Sequence, residues 1–178
     1  MCPVYRVPAT LKANDVHTAA SKLRYYLEHI FREVCDNLHV KVEFKGDGHY
    51  ELGDTLAPAV RYFRDLILDG VKVAEAWNQK DTAEALKTRE KSLGESLLAT
   101  NAEQWQVNPA IHYNEWANFN ANDFTPVVVA FHNLIQKFFC EKSDCACLFY
   151  LTTTPPKIRD AVRCCCGNTN INLKMPKK

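Results

Sequence analysis

Six of the eight cysteines in this 178-residue chain lie in its last quarter, as Cys140, Cys145 and Cys147 and then Cys164, Cys165 and Cys166, with Gly167 directly behind. Two thiolate-bearing knuckles joined by a short hairpin are what a tetrahedral metal site requires, since each knuckle supplies a pair of ligands. The intervening residues fit that hairpin. Leu148-Phe149-Tyr150-Leu151-Thr152-Thr153 is an apolar and β-branched run, Pro155-Pro156 breaks it, and Ala161-Val162-Arg163 leads back to the second knuckle. Asn170-Ile171-Asn172-Leu173-Lys174 alternates like a third strand, and glycine after the last ligand suits a turn that needs positive φ. The pattern therefore reads as a zinc ribbon with Cys140, Cys145, Cys164 and Cys166 as ligands and Cys147 and Cys165 as spares. In an extended segment Cys165 would point away from its two neighbours, so one of the three must be left out. With all four positions filled by protein, the zinc would be structural.

Two other readings use the same residues. Disulfides could join them, but the N-terminus carries no apolar signal segment, so the expected compartment is the cytoplasm, where thiols stay reduced. A ribbon that has lost its metal is the second, because the spacing is C-x4-C and C-x-C. Cys2 and Cys35 stand apart, and a small apolar packing role suffices for each.

Net charge is +1, and this small total conceals an asymmetry. Residues 1–139 carry 15 Lys+Arg against 18 Asp+Glu, a net of −3, whereas residues 140–178 carry 7 against 3, a net of +4. The tail is thus the part to which RNA or DNA would be drawn, through Lys157, Arg159, Arg163, Lys174, Lys177 and Lys178, with contacts to phosphate that ignore sequence. A lysine-rich terminus that serves solubility is the alternative. No stretch approaches the ~20 apolar residues needed to cross a bilayer, so a soluble chain with no membrane partner is expected.

Ahead of the cysteines the chain has helical periodicity. Val16, Ala20, Leu23, Leu27, Ile30, Val34 and Leu38 form a stripe predicting a first helix over about 15–38, capped by Asn14 or Asp15. Residues 40–52, with Gly46, Asp47 and Gly48, predict a loop or small hairpin. Asp54 is the expected cap of a second helix ending near Leu68, with Pro58 tolerated in its opening turn. A third helix is expected from about Asp81 to Leu98, with Leu86, Leu93 and Leu97 inward. The fourth has the clearest period, Phe124, Val127, Val128, Phe131, Leu134, Ile135 and Phe138, with a cap near Asn122 and Asp123 and Pro126 in the first turn. Four such helices predict a mainly α chain: an N-terminal extension 1–14, an antiparallel bundle 15–139 and a small β unit with basic tail, 140–178.

Between the third and fourth helices, Val107-Asn108-Pro109-Ala110-Ile111-His112-Tyr113-Asn114-Glu115-Trp116 is the most unusual segment outside the ribbon. Asn-Pro reads as a helix start, and Asn108 and His112 at i and i+4 would share a face. An imidazole there can act as general acid or base near neutral pH, with the Asn amide orienting it or a phosphate. The structural alternative makes Asn108 an N-cap and His112 a hydrogen-bonded bundle residue. No cofactor-binding motif is present.

Leu23-Arg24-Tyr25-Tyr26-Leu27-Glu28, Leu52-Gly53-Asp54 and Asn108-Pro109-Ala110-Ile111-His112 together resemble a HEPN-type helical domain. With Cys-Gly and Asn170-Ile171-Asn172-Leu173-Lys174 behind them, the arrangement is similar to the C-terminal region of large bacterial SMC-like ATPases of genome-defence systems, including phage defence. The likeness covers most of residues 15–174. It implies a HEPN-like bundle followed by a zinc ribbon, pairing of bundles into a homodimer, and a ribonuclease centre at His112. Active members carry an arginine four to six residues before that histidine, whereas here the nearest is Arg89, which removes the main electrostatic stabiliser. Arg24 and Glu28 would either face the site or form an i,i+4 pair with each other.

There is no G-x-x-x-x-G-K-[ST] segment, so the ATPase would be a separate partner and this chain its detached tail, a short relative or a remnant. Three function classes follow: a zinc-containing nucleic-acid or partner-binding module, a metal-independent ribonuclease using His112 and Asn108, and a structural dimerisation module.

Overall fold

The computed structural model of the chain describes residues 15–111, 120–155 and 158–176, with 101–111 described as helical backbone. Among them are four helices followed by a small sheet: α1 Val16–Leu38, α2 Leu52–Ala76, α3 Lys80–Ile111, α4 Ala121–Gln136, then β1 Tyr150–Thr154, β2 Ile158–Arg163 and β3 Asn170–Asn172.

Local chemistry sets the helix ends. Asp15 caps α1 by accepting the Thr18 N–H at 3.1 Å, and His39 closes its far end in the left-handed region at φ 57°. The second helix begins earlier than expected: Asp54 is not its N-cap but its third residue, and its carboxylate reaches back to the Glu51 N–H at 2.8 Å. In α4 the cap is Asn120, which accepts from the N–H groups of Asn122 and Asp123, and Asp123 bonds the Asn120 N–H in return. Residues 40–51 form a loop.

Two expectations about helix length require correction. The second helix continues past Leu68 to Ala76, straight through Gly70. The third continues past Leu98 to Ile111, so Asn108-Pro109 lies in its last turn and does not start a new helix. Good helix formers such as Ala99, Ala102, Glu103 and Gln104 carry the third helix past Leu98, and no glycine or proline interrupts before Pro109.

The pairs Arg64–Glu90 and Glu75–Lys87 run in opposite order along α2 and α3, so these two helices are antiparallel. Cys35 Sγ meets the Thr55 carbonyl at 3.5 Å between α1 and α2. Three residues join α2 to α3, with Asn78 at φ 57°, and Lys87 pairs back to Glu75 at 3.1 Å. Ser92 on α3 accepts from Lys137 beyond the end of α4 at 2.8 Å.

The sheet is an antiparallel meander in the order β1-β2-β3. Leu151 lies opposite Val162, and Val162 opposite Ile171, so the three form one cross-strand row. All three are buried and belong to the same hydrophobic core as Phe31, Phe63, Leu86 and Phe138 of the helical part. The change from a 3.6-residue to a two-residue period marks where the sheet begins, but the core runs across it without a break.

Helix and sheet approach each other closely at Gly70. A Cβ there would collide with Ile171 Cγ2 and press on Leu86 Cδ1. Glycine inside a helix costs roughly 1 kcal/mol relative to alanine, whereas forcing extra carbon into a packed core costs about 1–3 kcal/mol. Ile171 is β-branched and cannot rotate its Cγ2 away cheaply. We therefore expect Gly70→Ala to lower the thermal midpoint despite its better helix propensity. In the pair Gly70→Ala with Ile171→Ala, the loss should fall short of the sum of the single losses by about 0.5–3 kcal/mol. Additive losses in thermal unfolding would show that this contact does not couple the helix to the sheet.

Candidate metal centre

The first knuckle grows directly out of α4. Phe138 and Phe149, 1% and 2% exposed, sit on either side of it. Their backbones are joined by a Phe149 N–H to Phe138 carbonyl bond of 2.9 Å, and Cys140 N–H bonds the Cys147 carbonyl at the same length. Phe139 and Leu148 form an isolated antiparallel bridge between those bonds. Residues 141–146 are thereby pinched into a closed loop in which the Cys145 N–H bonds the Lys142 carbonyl at 2.9 Å. Ala146 adopts φ 38°, a left-handed conformation costing roughly 1–2 kcal/mol for a residue with a Cβ. Such strain persists only where the surrounding structure enforces it.

The second knuckle follows β2. Cys164 to Gly167 is a turn closed by a Gly167 N–H to Cys164 carbonyl bond of 3.1 Å, and Gly167 has φ 75°. The expectation that this segment is extended is thus corrected, and with it the reason for leaving Cys165 out: the turn directs Cys165 toward Cys145, sulfur to sulfur 3.4 Å. Thr169 fixes the knuckle from outside, its N–H donating to Cys164 Sγ at 3.1 Å. Sulfur receiving a backbone N–H is stabilised as thiolate.

The knuckles bring Cys140, Cys145, Cys164 and Cys166 together, their four sulfurs all within 4.8 Å of one another. Cys140 and Cys166 are 3.7 Å apart and Cys164 and Cys166 3.4 Å. Four thiolates around a zinc at about 2.3 Å require sulfurs about 3.8 Å apart, so this donor set can hold such an ion with small adjustment. Cys140 and Cys164 are buried, Cys145 is half-buried and Cys166 is exposed. Among the described residues every cysteine is a free thiol.

Electrostatics divides the four into two pairs. Burial opposes ionisation of Cys145, but hydrogen bonds from Cys166 and Cys165 outweigh it and bring the thiol down to about 6. Burial likewise opposes Cys164, and the Thr169 N–H with the Cys166 and Cys140 thiols brings it down to about 7. For Cys166 the Asn168 backbone favours the thiolate, yet the Cys145 sulfur and burial prevail and push it up to about 12. At Cys140 the Lys142 backbone is similarly outweighed by burial and by the Cys164 and Cys145 sulfurs, and the thiol is raised. Two thiolates supported by two thiols is an arrangement that can accept a divalent cation by giving up two protons.

The remaining sequence candidates are placed differently. His112 lies outside the described residues, and Asn108 is part of the α3 backbone. Arg24 and Glu28 form the i,i+4 pair, with Nε to Oε1 2.8 Å. Of the basic residues, Arg159 pairs with Asp69 of α2 at 3.0 Å and Lys174 with Asp160 at 2.8 Å. Arg163 donates to Asn170 Oδ1 at 3.3 Å, and Lys157, Lys177 and Lys178 lie outside the described residues. Cys35 is packed between α1 and α2, and burial, with Asp36 nearby, pushes its thiol up to about 11. Cys2 lies outside the described residues.

The division into thiolates and thiols has a measurable consequence. Near pH 8, loading zinc should release about two protons per ion from the four-cysteine group, as followed with an indicator dye in weak buffer. As pH falls through about 7 and then 6, protons on Cys164 and Cys145 must also be displaced, so affinity should drop progressively. Release of four protons at pH 8 would contradict this charge arrangement. In comparisons with known proteins, no family model, no curated protein and no solved structure matches this chain.

Proposed function

We propose that this chain is a zinc-stabilised binding module, in which one structural zinc held by Cys140, Cys145, Cys164 and Cys166 locks the sheet and both knuckles onto a helical scaffold. The observation that carries the reading is the convergence of those four sulfurs from two separate segments. The protein fills all four positions, so the ion has no place for a substrate or activated water. Its contribution is to folding.

The binding role is the finer part of the proposal, with nucleic-acid phosphate as the ligand class. The net charge of +4 after residue 140 supports it, but Arg159 and Lys174 are engaged within the protein. Among the described residues the cations left to meet phosphate are Lys142 of the first knuckle and Arg163, whose guanidinium also donates to Asn170 Oδ1; Lys157, Lys177 and Lys178 lie outside the described residues. Binding on this basis is weak, salt-sensitive and indifferent to sequence. The resemblance to the tail of defence-type ATPases fits a module that hands such a ligand to a separate motor. It also leaves a paired bundle as the form in which the module would act.

Two measurements test the parts separately. Metal analysis of freshly reduced protein should show a thiolate-held zinc, lost on Cys164→Ser. Chelation should lower the unfolding temperature of the helices as well as the sheet, because Phe149, Leu151 and Ile171 share their core. Absence of zinc would remove the metal reading. Affinity for a short RNA or DNA should fall steeply with salt, and Arg163→Glu with Lys142→Glu should weaken it at least tenfold. Binding unchanged by that pair would move the interface off the ribbon.

A further inference from the structure

The sulfurs of Cys145, Cys147 and Cys165 form a second group, also within 4.8 Å of one another. Cys145 belongs to both groups. The turn at Cys164–Gly167 presents Cys164 and Cys166 to one group and Cys165 to the other. Ala146 in its left-handed conformation lets Cys145 and Cys147 flank a single residue and still approach the same point. The first four sulfurs are partly enclosed, whereas Cys165 is exposed and Cys147 half-buried. Cys147 and Cys165 also line a groove of about 580 Å³ shared with His29 and Asn37 of α1 and with Tyr150.

We propose that this second group is a further metal site, a three-thiolate seat for a thiophilic d10 cation, joined to the structural zinc through the Cys145 sulfur. The proposal rests on the four-cysteine site described above, since Cys145 acts here as a bridge. Thiolate sulfur keeps lone pairs after binding one ion, and thiolate-rich sites select soft cations such as Zn(II), Cd(II) and Cu(I). Three protein ligands leave one position to an outside ligand, in contrast to the filled first site. The open side is the groove, so the second ion would be exchangeable where the first is held. The spare cysteines of the sequence are, on this reading, ligands.

The full chain, reduced and freed of metal, is titrated with 113Cd(II) while thiolate-to-metal absorption and the 113Cd spectrum are recorded. Two ions per chain are expected, filling in sequence, with two resonances coupled to each other through the shared sulfur. Cys165→Ser and Cys147→Ser should each reduce the stoichiometry from two to one, keep the first resonance and leave the helical circular dichroism intact. Exposed Cys165 is the variant with least effect on folding. Saturation at one ion per chain in the native sequence would overturn this inference and leave the structural zinc standing, as would a second ion that survives both substitutions. Uptake of no ion would instead remove the four-cysteine site, and the second site with it.

Discussion

The structure depends on the joint between Phe138 and Phe149. These two rings enter the core from the end of the last helix and the start of the sheet, and a backbone hydrogen bond of 2.9 Å ties their strands together. Phe138 packs edge-on against Phe31 of α1 at 5.6 Å, and both rings meet Phe63 of α2, at 5.0 and 5.9 Å. Each such pair contributes about 0.5–1.5 kcal/mol beyond the burial of its area. The joint therefore holds two helices, the helix terminus and the base of the first knuckle at one point. Arg89 lies over the Phe149 ring at 5.2 Å and pairs with Glu141 in the knuckle loop, closing the joint toward solvent.

A sheet unit of fewer than about 40 residues usually needs a metal, a disulfide or a partner surface to be stable. Here it uses the helices for one face, through Leu151, Val162 and Ile171, and the cysteine cluster for one end. Ion pairs between the parts, such as Arg159 with Asp69, are solvent-exposed and worth about 0–1 kcal/mol. The buried apolar row, at about 1.5–3 kcal/mol per side chain, stabilises the joint more than those ion pairs do. The cysteine cluster and the apolar face thus belong to one continuous packed core. The lysines and arginines of the tail are in part fastenings of the sheet, and this lowers what they can offer a polyanion.

Much of the secondary structure was legible in the residues. The α1 stripe and the α4 period placed those helices to within a residue or two, because burial on one face is a repeating property that a single sequence records. The apolar run around Leu151, the short run at Ala161-Val162-Arg163 and the alternation around Ile171 located the strands. Reading failed where a local signal was overruled at long range. The second helix was expected to end near Leu68 and runs on through Gly70, where Ile171, 101 positions later, fills the space left by the missing side chain. Asn108-Pro109 looks like a helix start and closes a long one instead.

The cysteines show the same division most clearly. Their types and spacing by themselves pointed to a soft-metal site, beside disulfides or a ribbon without metal, since two close-set groups of thiols flank a hairpin. They also marked Gly167 as a turn. Only the tertiary structure decided which sulfurs share a centre, because that depends on the left-handed backbone of Ala146, on the turn at Cys164–Gly167 and on the strand pairing that brings the two knuckles to one place. A sequence records which groups are present and how often they recur. The distance between sulfurs far apart along the chain is set by the packing of everything between them.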